Sequence, residues 1–505
     1  MLPASGKSVT IIGAGLAGAL LASYLAQRGF RVRVYERRDD PRRAGYVGGR
    51  SINLALSARG MWGLEGIGLD KAILESALPM KGRVMHPADP AKPVYYQPYS
   101  KNPTDSIKSI SRSGLNLALI QAASKHENVS FFFNHRCLDI DLDHCSATLQ
   151  NETPGATPGA LTTVESDLIF GADGAFSPVR ARLQKTDRFE YSQSYLSHGY
   201  KELHIPALSE SSPDFSRFGG FAMDPAALHI WPRGTAMMIA LPNPDKTFTC
   251  TLFWPFDGDH GLAALRTPAE VTSFFTRNYP DAVPLMPTLA DDYLKNPNGS
   301  LVTVRCWPWI HKSPGNKAVL LMGDAAHAIV PFFGQGMNAA FEDVRIFCEC
   351  LERAAPRTLP ERSNDSLTTE SWLHSAADEY QRLRKPNADA IARMALDNFI
   401  EMRDKVGSRL FLQRKKLEHL LHDLFPSTFT PKYNLVSFSI VPYLEALRRG
   451  ARLDRLIRFL ILFTAVLLAS FLLLIGVRAW LVVDAILIAA WIAWDRWSFR
   501  RDTSV

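Results

Sequence analysis

Short apolar runs separated by glycine and acidic residues open the chain. Ser8 to Ile12 is rich in β-branched residues, Leu16 to Gln27 has helical character with many small residues, and Arg31 to Tyr35 is a second short run that ends at Glu36. Short runs bounded by turn residues favour buried strands, and the longer segment between them favours a helix. The start of the chain therefore predicts a strand–helix–strand unit.

A similar pattern lies in the stretch from Ala318 to Val344. Its apolar run, Ala318 to Met322, ends just before Asp324, and a helical pattern begins at Met337. Three residues that break regular structure lie between them: Pro331, Gly334 and Gly336. The N-terminus of a helix presents unpaired N–H groups to an electron-rich ligand, and a carboxylate at a strand end suits ribose or ribityl hydroxyl groups. Taken alone, the pattern is equally typical of an ordinary strand–loop–helix connection.

The middle of the chain contains a third turn of this kind and then a different pattern. The apolar run Asp167 to Phe170 is followed by the glycine-rich turn around Asp173, and Asn151 to Thr163 indicates a hairpin tip. Tyr191 to Phe256 has many short alternating runs separated by turn residues. Alternation of this period favours an antiparallel or mixed sheet, distinct from the first unit.

The C-terminal segment changes character. Phe459 to Val477 contains no charged residue and is long enough to span a bilayer, and a second apolar run extends from Ala479 to Trp494. Arginines flank both ends, which favours a hairpin with both ends facing the cytosol. The alternative is a pair of buried core helices, and Asp484 makes the second span the weaker one because an acid at the bilayer centre is costly.

The composition narrows the class of protein. The chain has 505 residues, of which 47% are hydrophobic and 21% charged, and this indicates a globular protein of more than one domain. A net charge of +7 without interleaved aromatic residues excludes a nucleic-acid-binding pattern. The six scattered cysteines lack metal-ligand spacing and predict reduced thiols without a metal site. No signal peptide is expected, because strand-like sequence begins by Val9.

The glycines of the first unit carry the most specific chemistry. Gly13 permits a tight turn, Gly15 lets the backbone approach a pyrophosphate, and Gly18 lets the helix and strand pack closely. Glu36 follows at the distance expected of a ribose-binding acid. Because both flanking strands are present, the segment predicts a dinucleotide-binding unit. The alternative is a glycine-rich turn of another α/β unit.

Three motifs in order, GAGLAG, GADGAFSPVR and GDAAHAIVPFFGQGMN, resemble those of the single-component FAD-dependent aromatic hydroxylases. Within that group, GGRSINLALSARG, KGRVMH, DNFIEMR and PSTFTPKYNLVSFS are similar to segments of the kynurenine 3-monooxygenases. The resemblance extends from about Ser8 to about Ala446. The apolar tail resembles the membrane anchor of the eukaryotic members.

The resemblance implies an α/β fold with a Rossmann-like FAD-binding domain, an interleaved mixed β-sheet substrate domain, C-terminal helices and a membrane anchor. The expected domain bounds are 1–190 for the first part of the FAD-binding domain with a substrate-lining segment at 80–112, 191–300 for the substrate domain, 301–355 for the return of the FAD-binding domain, 371–446 for the helical region and 447–505 for the anchor. The membrane expected from the resemblance is the outer mitochondrial membrane, with the catalytic part facing the cytosol.

The resemblance also implies site residues. The expected FAD-binding residues are Gly13, Gly15, Ala17, Gly18, Tyr35, Glu36, Arg37, Arg38, Ala55, Arg112, Asp173, Asp324, Met337 and Asn338. The expected kynurenine-binding residues are Arg83, Tyr99, Asn398 and Tyr433, with Tyr96 as the alternative to Tyr99. A cationic fork with hydroxyl and amide donors suits a buried α-carboxylate. A helical asparagine is equally typical of a solvent-facing or capping position.

The implied reaction is the NADPH- and O₂-dependent hydroxylation of L-kynurenine to 3-hydroxy-L-kynurenine through a flavin hydroperoxide, in tryptophan degradation and NAD biosynthesis. The cofactor performs the difficult step, so no side chain is assigned as an acid or base. The expected partners are L-kynurenine, NADPH, O₂ and membrane lipid. The alternatives are a hydroxylase of another aromatic compound and a membrane-tethered flavoprotein without turnover. A flavin halogenase is disfavoured, because only the short run from Trp307 to Ile310 hints at one.

Overall fold

The structure is a computed structural model. It describes residues 6–43, 53–155, 157, 159–258, 261–356, 372–401, 417, 421, 424–425 and 429–474. The chain divides into two compact units, the first comprising residues 1–407 and 437–440 and the second residues 408–436 and 441–505.

The strand–helix–strand unit predicted at the start of the chain forms the centre of a six-stranded sheet. Its strands, numbered in chain order and given in spatial order, are β18 (Ile310–Ser313), β19 (Lys317–Leu321), β12 (Leu168–Gly171), β1 (Ser8–Ile12), β2 (Arg31–Tyr35) and β8 (Val129–Phe132). All neighbours are parallel except β18 and β19, which are antiparallel. The carboxyl ends of β1, β12 and β19 therefore lie side by side at one edge, which is where the three glycine-rich turns follow.

A seven-stranded mixed sheet occupies the region in which alternation predicted one. Its strands, in spatial order, are β17 (Gly299–Trp307), β13 (Glu190–Ile205), β16 (Phe248–Pro255), β15 (Ala236–Pro242), β14 (Ala227–Arg233), β5 (Gly82–Met85) and β6 (Tyr95–Pro98). Only β14 and β5 are parallel in this sheet. The segment that carries Arg83 thus joins a sheet built mainly from residues more than a hundred positions later.

Two smaller antiparallel sheets complete the strands of the described residues. The first consists of β11 (Leu161–Glu165), β10 (Ser146–Asn151) and β9 (His135–Asp141), and the second of β3 (Asn53–Leu56), β7 (Ile107–Ser111) and β4 (Leu78–Met80). Strands β10 and β11 form the hairpin predicted around residues 151–163.

The helices of the described residues cover the sheets. Those of the first unit are α1 (Leu16–Gln27), α2 (Ala58–Glu65), α3 (Asp70–Glu75), α4 (Arg112–Ser124), α5 (Pro178–Leu183), α6 (Pro268–Asn278), α7 (Leu289–Lys295), α8 (Asp324–His327), α9 (Gly336–Ala354) and α10 (Trp372–Ile400), with 3₁₀ turns at Val283–Leu285 and Pro331–Phe333. The core of this unit packs α1 and α9 on the six-stranded sheet, and Phe170 meets Phe347 edge to face at 5.0 Å. Burial of such apolar surface is the main favourable term in its stability.

The second unit contains most of α11 (Lys432–Ser437) and all of α12 (Tyr443–Leu474). Lys432 packs beside Gly450, because a Cβ on that glycine would lie 3.2 Å from the lysine side chain. Among the described residues, which end at Leu474, no helix meets the length and hydropathy needed to cross a bilayer. The predicted second apolar run, residues 479–494, lies outside the described residues.

A buried histidine pair joins β5 to the neighbouring strand and makes stability depend on pH. His229 Nε2 lies 2.9 Å from the Asp224 carbonyl oxygen, and His229 Nδ1 lies 3.0 Å from His86 Nε2. Asp281 lies 2.9 Å from His86 Nδ1. Burial is the main reason why the pKa of His229 is lowered to about 4; the Asp224 carbonyl opposes this shift, and His86 adds to it.

We expect the protein to lose stability as the pH falls from about 6.5 to about 4. The unfolded chain binds a proton at His229 below the ordinary pKa, whereas the folded chain does not, so acid favours unfolding. At pH 5 this difference in proton binding at His229 lowers the free energy of unfolding by about 2 kcal/mol. Denaturant unfolding of a His229→Gln variant should show a shallower decline between pH 7.5 and 5 than the wild type. His144→Gln is the control: a hydrogen bond to Asp141 raises the pKa of the exposed His144, so its loss should not make the decline shallower. A His229→Gln profile parallel to the wild type would contradict the assignment.

Candidate cofactor and substrate site

The first glycine turn packs directly against the turn that follows β12. Gly13 has φ +103°, and a Cβ on it would lie 2.5 Å from the Ala172 carbonyl oxygen. A Cβ on Gly18 would lie 2.0 Å from the Gly13 carbonyl oxygen. Only glycine fits at either position, so the fingerprint and the turn around Asp173 form one surface.

The third turn closes on the same helix. Gly323 has φ +61°, and a Cβ on it would lie 3.4 Å from Ala17 Cβ and 3.3 Å from Ala340 Cβ. Ala17 belongs to the first turn of α1 and Ala340 to the early part of α9. The three motifs, although separated by more than a hundred residues each, therefore meet at the carboxyl edge of the sheet.

The place where the three turns meet has the features that binding of a flavin dinucleotide requires. Gly15 is exposed at the N-terminus of α1, and a Cβ there would meet no atom of the described residues within 4 Å. The helix N-terminus thus opens onto free space in which a pyrophosphate can reach N–H groups. Glu36 lies beside this turn, where its carboxylate accepts from the N–H of Ala14 at 2.9 Å and of Arg38 at 3.0 Å.

Asp173 offers an acceptor that the protein itself does not satisfy. Its Oδ2 accepts from the Val179 N–H at 3.2 Å, while its Oδ1 is buried without a hydrogen bond among the described residues. Burial raises the pKa of this carboxyl to about 6, against the lowering effect of Ser177, Val179 and Arg180. A cofactor hydroxyl group that donates to Oδ1 would remove this cost, so the residue fits the predicted ligand.

The remaining predicted FAD residues differ in burial and in position along their elements. Asp324 is exposed at the start of α8, and Arg112 is exposed at the start of α4. Tyr35 is buried and its ring stacks on Phe132 with centroids 4.7 Å apart. Arg37 and Arg38 are exposed after β2. Their contacts with a cofactor stay predictions.

Asn338 has a structural task that the sequence did not reveal. Its Nδ2 donates to the carbonyl oxygens of Ala55 at 2.8 Å and Gly334 at 2.7 Å, and its Oδ1 accepts from the Ser57 N–H at 2.9 Å. The side chain therefore joins the end of β3 to the loop before α9. What the helix presents to a ligand is its backbone N–H groups, with Met337 in its first turn.

Two of the predicted substrate residues lie together on the mixed sheet. The guanidinium carbon of Arg83 lies 5.3 Å from the centroid of the Tyr99 ring, and Tyr99 is only 5% exposed. Arg83 pairs with Gln97 across the strands, so Tyr99 shares its face whereas Tyr96 points to the other. Tyr96 is 48% exposed. The geometry favours Tyr99 over Tyr96 as the partner of Arg83.

The third predicted substrate residue lies beside an aromatic wall. Asn398 Nδ2 donates to the Phe332 carbonyl oxygen at 2.7 Å, which ties the end of α10 to the 3₁₀ turn before α9. The Phe332 ring stacks on Phe399 with centroids 4.2 Å apart and lies 4.9 Å from Phe253. Tyr433, the fourth predicted residue, is half-buried in α11 of the second unit, and its role stays a prediction.

A chain of buried charges behind the third turn was missed by the sequence analysis. Arg59 donates to Glu342 at 2.8 Å, and Arg384 bridges Glu342 at 2.9 Å and Asp343 at 2.6 Å. Asp343 also accepts from His327 at 2.5 Å. These side chains are at most 6% exposed. A signal existed, because two adjacent acids interrupt the otherwise apolar and small-residue start of α9.

Comparison with known proteins identifies the relatives. The FAD binding domain family matches residues 7–218 and 312–362. A kynurenine 3-monooxygenase of Dictyostelium discoideum is 47% identical over 444 residues, covering 88% of this chain and 91% of the relative. The kynurenine 3-monooxygenase of Myxococcus xanthus is 44% identical, and the match covers 90% of this chain and 91% of the relative. That of Sus scrofa is 41% identical, and the match covers 92% of this chain and 90% of the relative.

The solved structures with a similar fold are more distant. The tetrameric form of 2-methyl-3-hydroxypyridine-5-carboxylic acid oxygenase aligns with a TM-score of 0.59 at 20% identity, covering 88% of this chain and 97% of its own. PqsL of P. aeruginosa, in complex with 2-aminobenzoylacetate, aligns with a TM-score of 0.57 at 19% identity, and the alignment covers 79% of this chain and 97% of PqsL. At this identity the likeness concerns the fold.

Proposed function

This chain belongs to the kynurenine 3-monooxygenase family, and from that premise we propose which of its residues hold the cofactor and the substrate. It is an FAD-dependent monooxygenase that uses NADPH and O₂ to hydroxylate L-kynurenine to 3-hydroxy-L-kynurenine. The observation that carries the function is the convergence of three separately encoded turns, at Gly13, Asp173 and Gly323. Arg83 lies on the mixed sheet, in β5.

Bound FAD supplies the oxygen-activating chemistry that amino-acid side chains lack. The N-terminus of α1 at Gly15 binds the pyrophosphate, and Glu36 accepts from the adenosine ribose. Asp173 and Asp324 accept from hydroxyl groups of the cofactor. The N–H groups at the start of α9 are the positive end of a helix of 19 residues, so they would favour negative charge on a ring system bound beside them.

The amino-acid end of the substrate is held by donors on several elements. Arg83 binds the α-carboxylate through its guanidinium fork, and Tyr99 donates beside it. Asn398 adds an amide donor on the same unit, and the assignment of Tyr433 stays a prediction. Support for Arg83 and Tyr99 comes from their shared face, and support for Asn398 comes from its place beside the aromatic wall of Phe332. These residues orient the ring and exclude water, and no proton transfer is assigned to them.

The function is tested with purified, FAD-loaded protein. L-kynurenine should stimulate NADPH consumption, and the product should be 3-hydroxy-L-kynurenine, with its added oxygen derived from labelled O₂. Faster hydroxylation of another aromatic compound would identify a hydroxylase of different specificity. NADPH consumption that no aromatic amino acid stimulates would identify a flavoprotein without hydroxylase turnover.

Membrane attachment through residues 447–505 is part of the proposal. The uncharged run from Phe459 to Val477 follows five arginines, and its described large apolar side chains are widely exposed. Those that are 50–62% exposed are Phe459, Phe463, Val466, Leu467 and Phe471. A face of this kind in contact with water is costly, so a lipid surface is the occupant that fits it. The outer mitochondrial membrane, with the catalytic part facing the cytosol, is the compartment proposed.

Removal of residues 447–505 should release the protein from membranes. The full chain is expected to float with phospholipid vesicles, whereas the shortened chain stays in the soluble fraction and keeps kynurenine-stimulated NADPH oxidation. Phe463→Asp in the full chain should weaken flotation in the same direction. A shortened chain that floats as the full chain does would contradict the proposed anchor.

A further inference from the structure

The buried charges behind the third turn make one contact that bears on the cofactor. Asp343 lies at the start of the third turn of α9 and is fully buried. Its Oδ2 accepts from the backbone N–H of Gly323 at 3.2 Å and lies 2.5 Å from His327 Nε2, and its Oδ1 accepts from Arg384 Nε at 2.6 Å. One carboxylate thus joins a strand-end turn to three helices.

We infer that Asp343 is a positioning residue for FAD, because it fixes the backbone of the Gly323–Asp324 turn relative to the N-terminus of α9. This inference rests on the proposed function and deepens it. Asp343 is buried and binds the backbone of the turn, so it does not itself contact the cofactor. It acts through the placement of Asp324 and of the N–H groups at the start of α9.

The backbone conformation of the turn explains why it needs such a fixed point. Gly323 has φ +61°, a region that glycine enters easily and also leaves easily. Its N–H donates to the buried carboxylate, and the space in which a Cβ would stand is bounded by Ala17 and Ala340. A glycine turn that is hydrogen-bonded to an ionised group keeps one conformation, so the exposed carboxylate of Asp324 keeps one position.

Within this cluster of buried side chains the positive and negative charges balance, which keeps Asp343 ionised. Burial alone would raise the pKa of Asp343, but the neighbouring His327 and Arg384 outweigh it and hold the pKa below its usual range. Glu342 neutralises Arg59 and shares Arg384. Buried ion pairs add little stability compared with apolar side chains of the same volume. The ion pairs of Asp343 are therefore better explained by its orientation of the turn than by a gain in stability.

Glu342 provides the matched control within the same network. It is nearly as buried as Asp343 and binds the same arginine, but its ion pairs among the described residues are with Arg59 and Arg384 and not with the turn. Asp343→Asn and Glu342→Gln each replace one oxygen by an amide nitrogen and remove one charge. Both variants should lower the unfolding temperature of the apoprotein. Only Asp343→Asn should disturb the turn.

The experiment compares FAD binding by the full-length apoproteins at a temperature well below both unfolding transitions. The dissociation constant for FAD should rise roughly ten- to a hundredfold in Asp343→Asn and stay within about threefold of the wild type in Glu342→Gln. The visible circular dichroism of bound flavin should change only in Asp343→Asn. Equal FAD affinity and equal spectra in the two variants would overturn the inference.

A second pair of variants keeps the test decisive if Asp343→Asn does not fold. His327→Gln retains a nitrogen donor toward Asp343, whereas His327→Leu removes it. FAD affinity should stay near that of the wild type in His327→Gln and fall in His327→Leu, and equal affinities would overturn the inference. Wild-type protein that binds no FAD would instead refute the proposed function, so the two failures are distinguishable.

Discussion

Replacement of Gly15 by valine is expected to abolish FAD binding in a protein that still folds. Gly15 has φ −67° and ψ −175°, an extended conformation that a β-branched residue adopts without strain. A side chain there meets open space among the described residues and fills the region in front of the α1 N-terminus. The pyrophosphate would lose its approach to the N–H groups, and we expect the FAD dissociation constant to rise about a hundredfold or more.

A size series at the same position controls for the loss of glycine itself. Gly15→Ala adds one carbon to the open space and should weaken FAD binding less than Gly15→Val. The unfolding temperature of the apoprotein should be nearly unchanged in both, because neither side chain meets another atom of the described residues within 4 Å at its Cβ. A Gly15→Val protein that is purified with a full complement of FAD would contradict the placement of the pyrophosphate.

Arg83→Ala is expected to remove most of the activity on kynurenine while leaving FAD bound. Removal of a guanidinium that pairs with a carboxylate in a buried site lowers the binding free energy by about 3 kcal/mol. This corresponds to roughly a hundredfold fall in kcat/KM. Arg83→Lys keeps the charge but not the fork, so its activity should be intermediate. Steady-state NADPH oxidation against kynurenine concentration measures the effect, and flavin absorbance reports cofactor content.

Two controls separate this role from a general loss of charge or of structure. Lys92→Ala removes an exposed cation from the same part of the chain and should leave kcat/KM unchanged. Tyr99→Phe should raise KM, whereas Tyr96→Phe should not, because Tyr96 faces away from Arg83. Normal KM for kynurenine in Arg83→Ala would show that the substrate site lies elsewhere or that the enzyme takes another compound.

The cofactor unit was predictable from the sequence because its signals are local. The strand Ser8–Ile12, the helix Leu16–Gln27 and the strand Arg31–Tyr35 coincide with the predicted runs. Glycine spacing and the change from strand to helical period are properties of neighbouring residues. The mixed sheet was predicted as a type, but not the parallel pairing of β5 with β14, because that pairing joins segments far apart in the chain.

The site was less accessible to sequence reasoning. The substrate residues followed from a family resemblance and not from a pattern, since nothing local distinguishes Arg83 or Asn398 from a surface residue. The cross-link made by Asn338 and the charges at Arg59, Asp343 and Arg384 were not foreseen, because their partners lie up to 283 residues away. Side-chain partnership across such distances is set by the fold as a whole.

The most direct test of the account is anaerobic reduction of the protein-bound flavin by NADPH, with and without L-kynurenine. We predict that purified protein carries FAD, that NADPH bleaches its visible absorbance, and that kynurenine accelerates the bleaching. A colourless polypeptide that takes up no flavin would contradict the convergence of the three turns on one cofactor. Bleaching at a rate that kynurenine leaves unchanged would contradict the amino-acid pocket beside it.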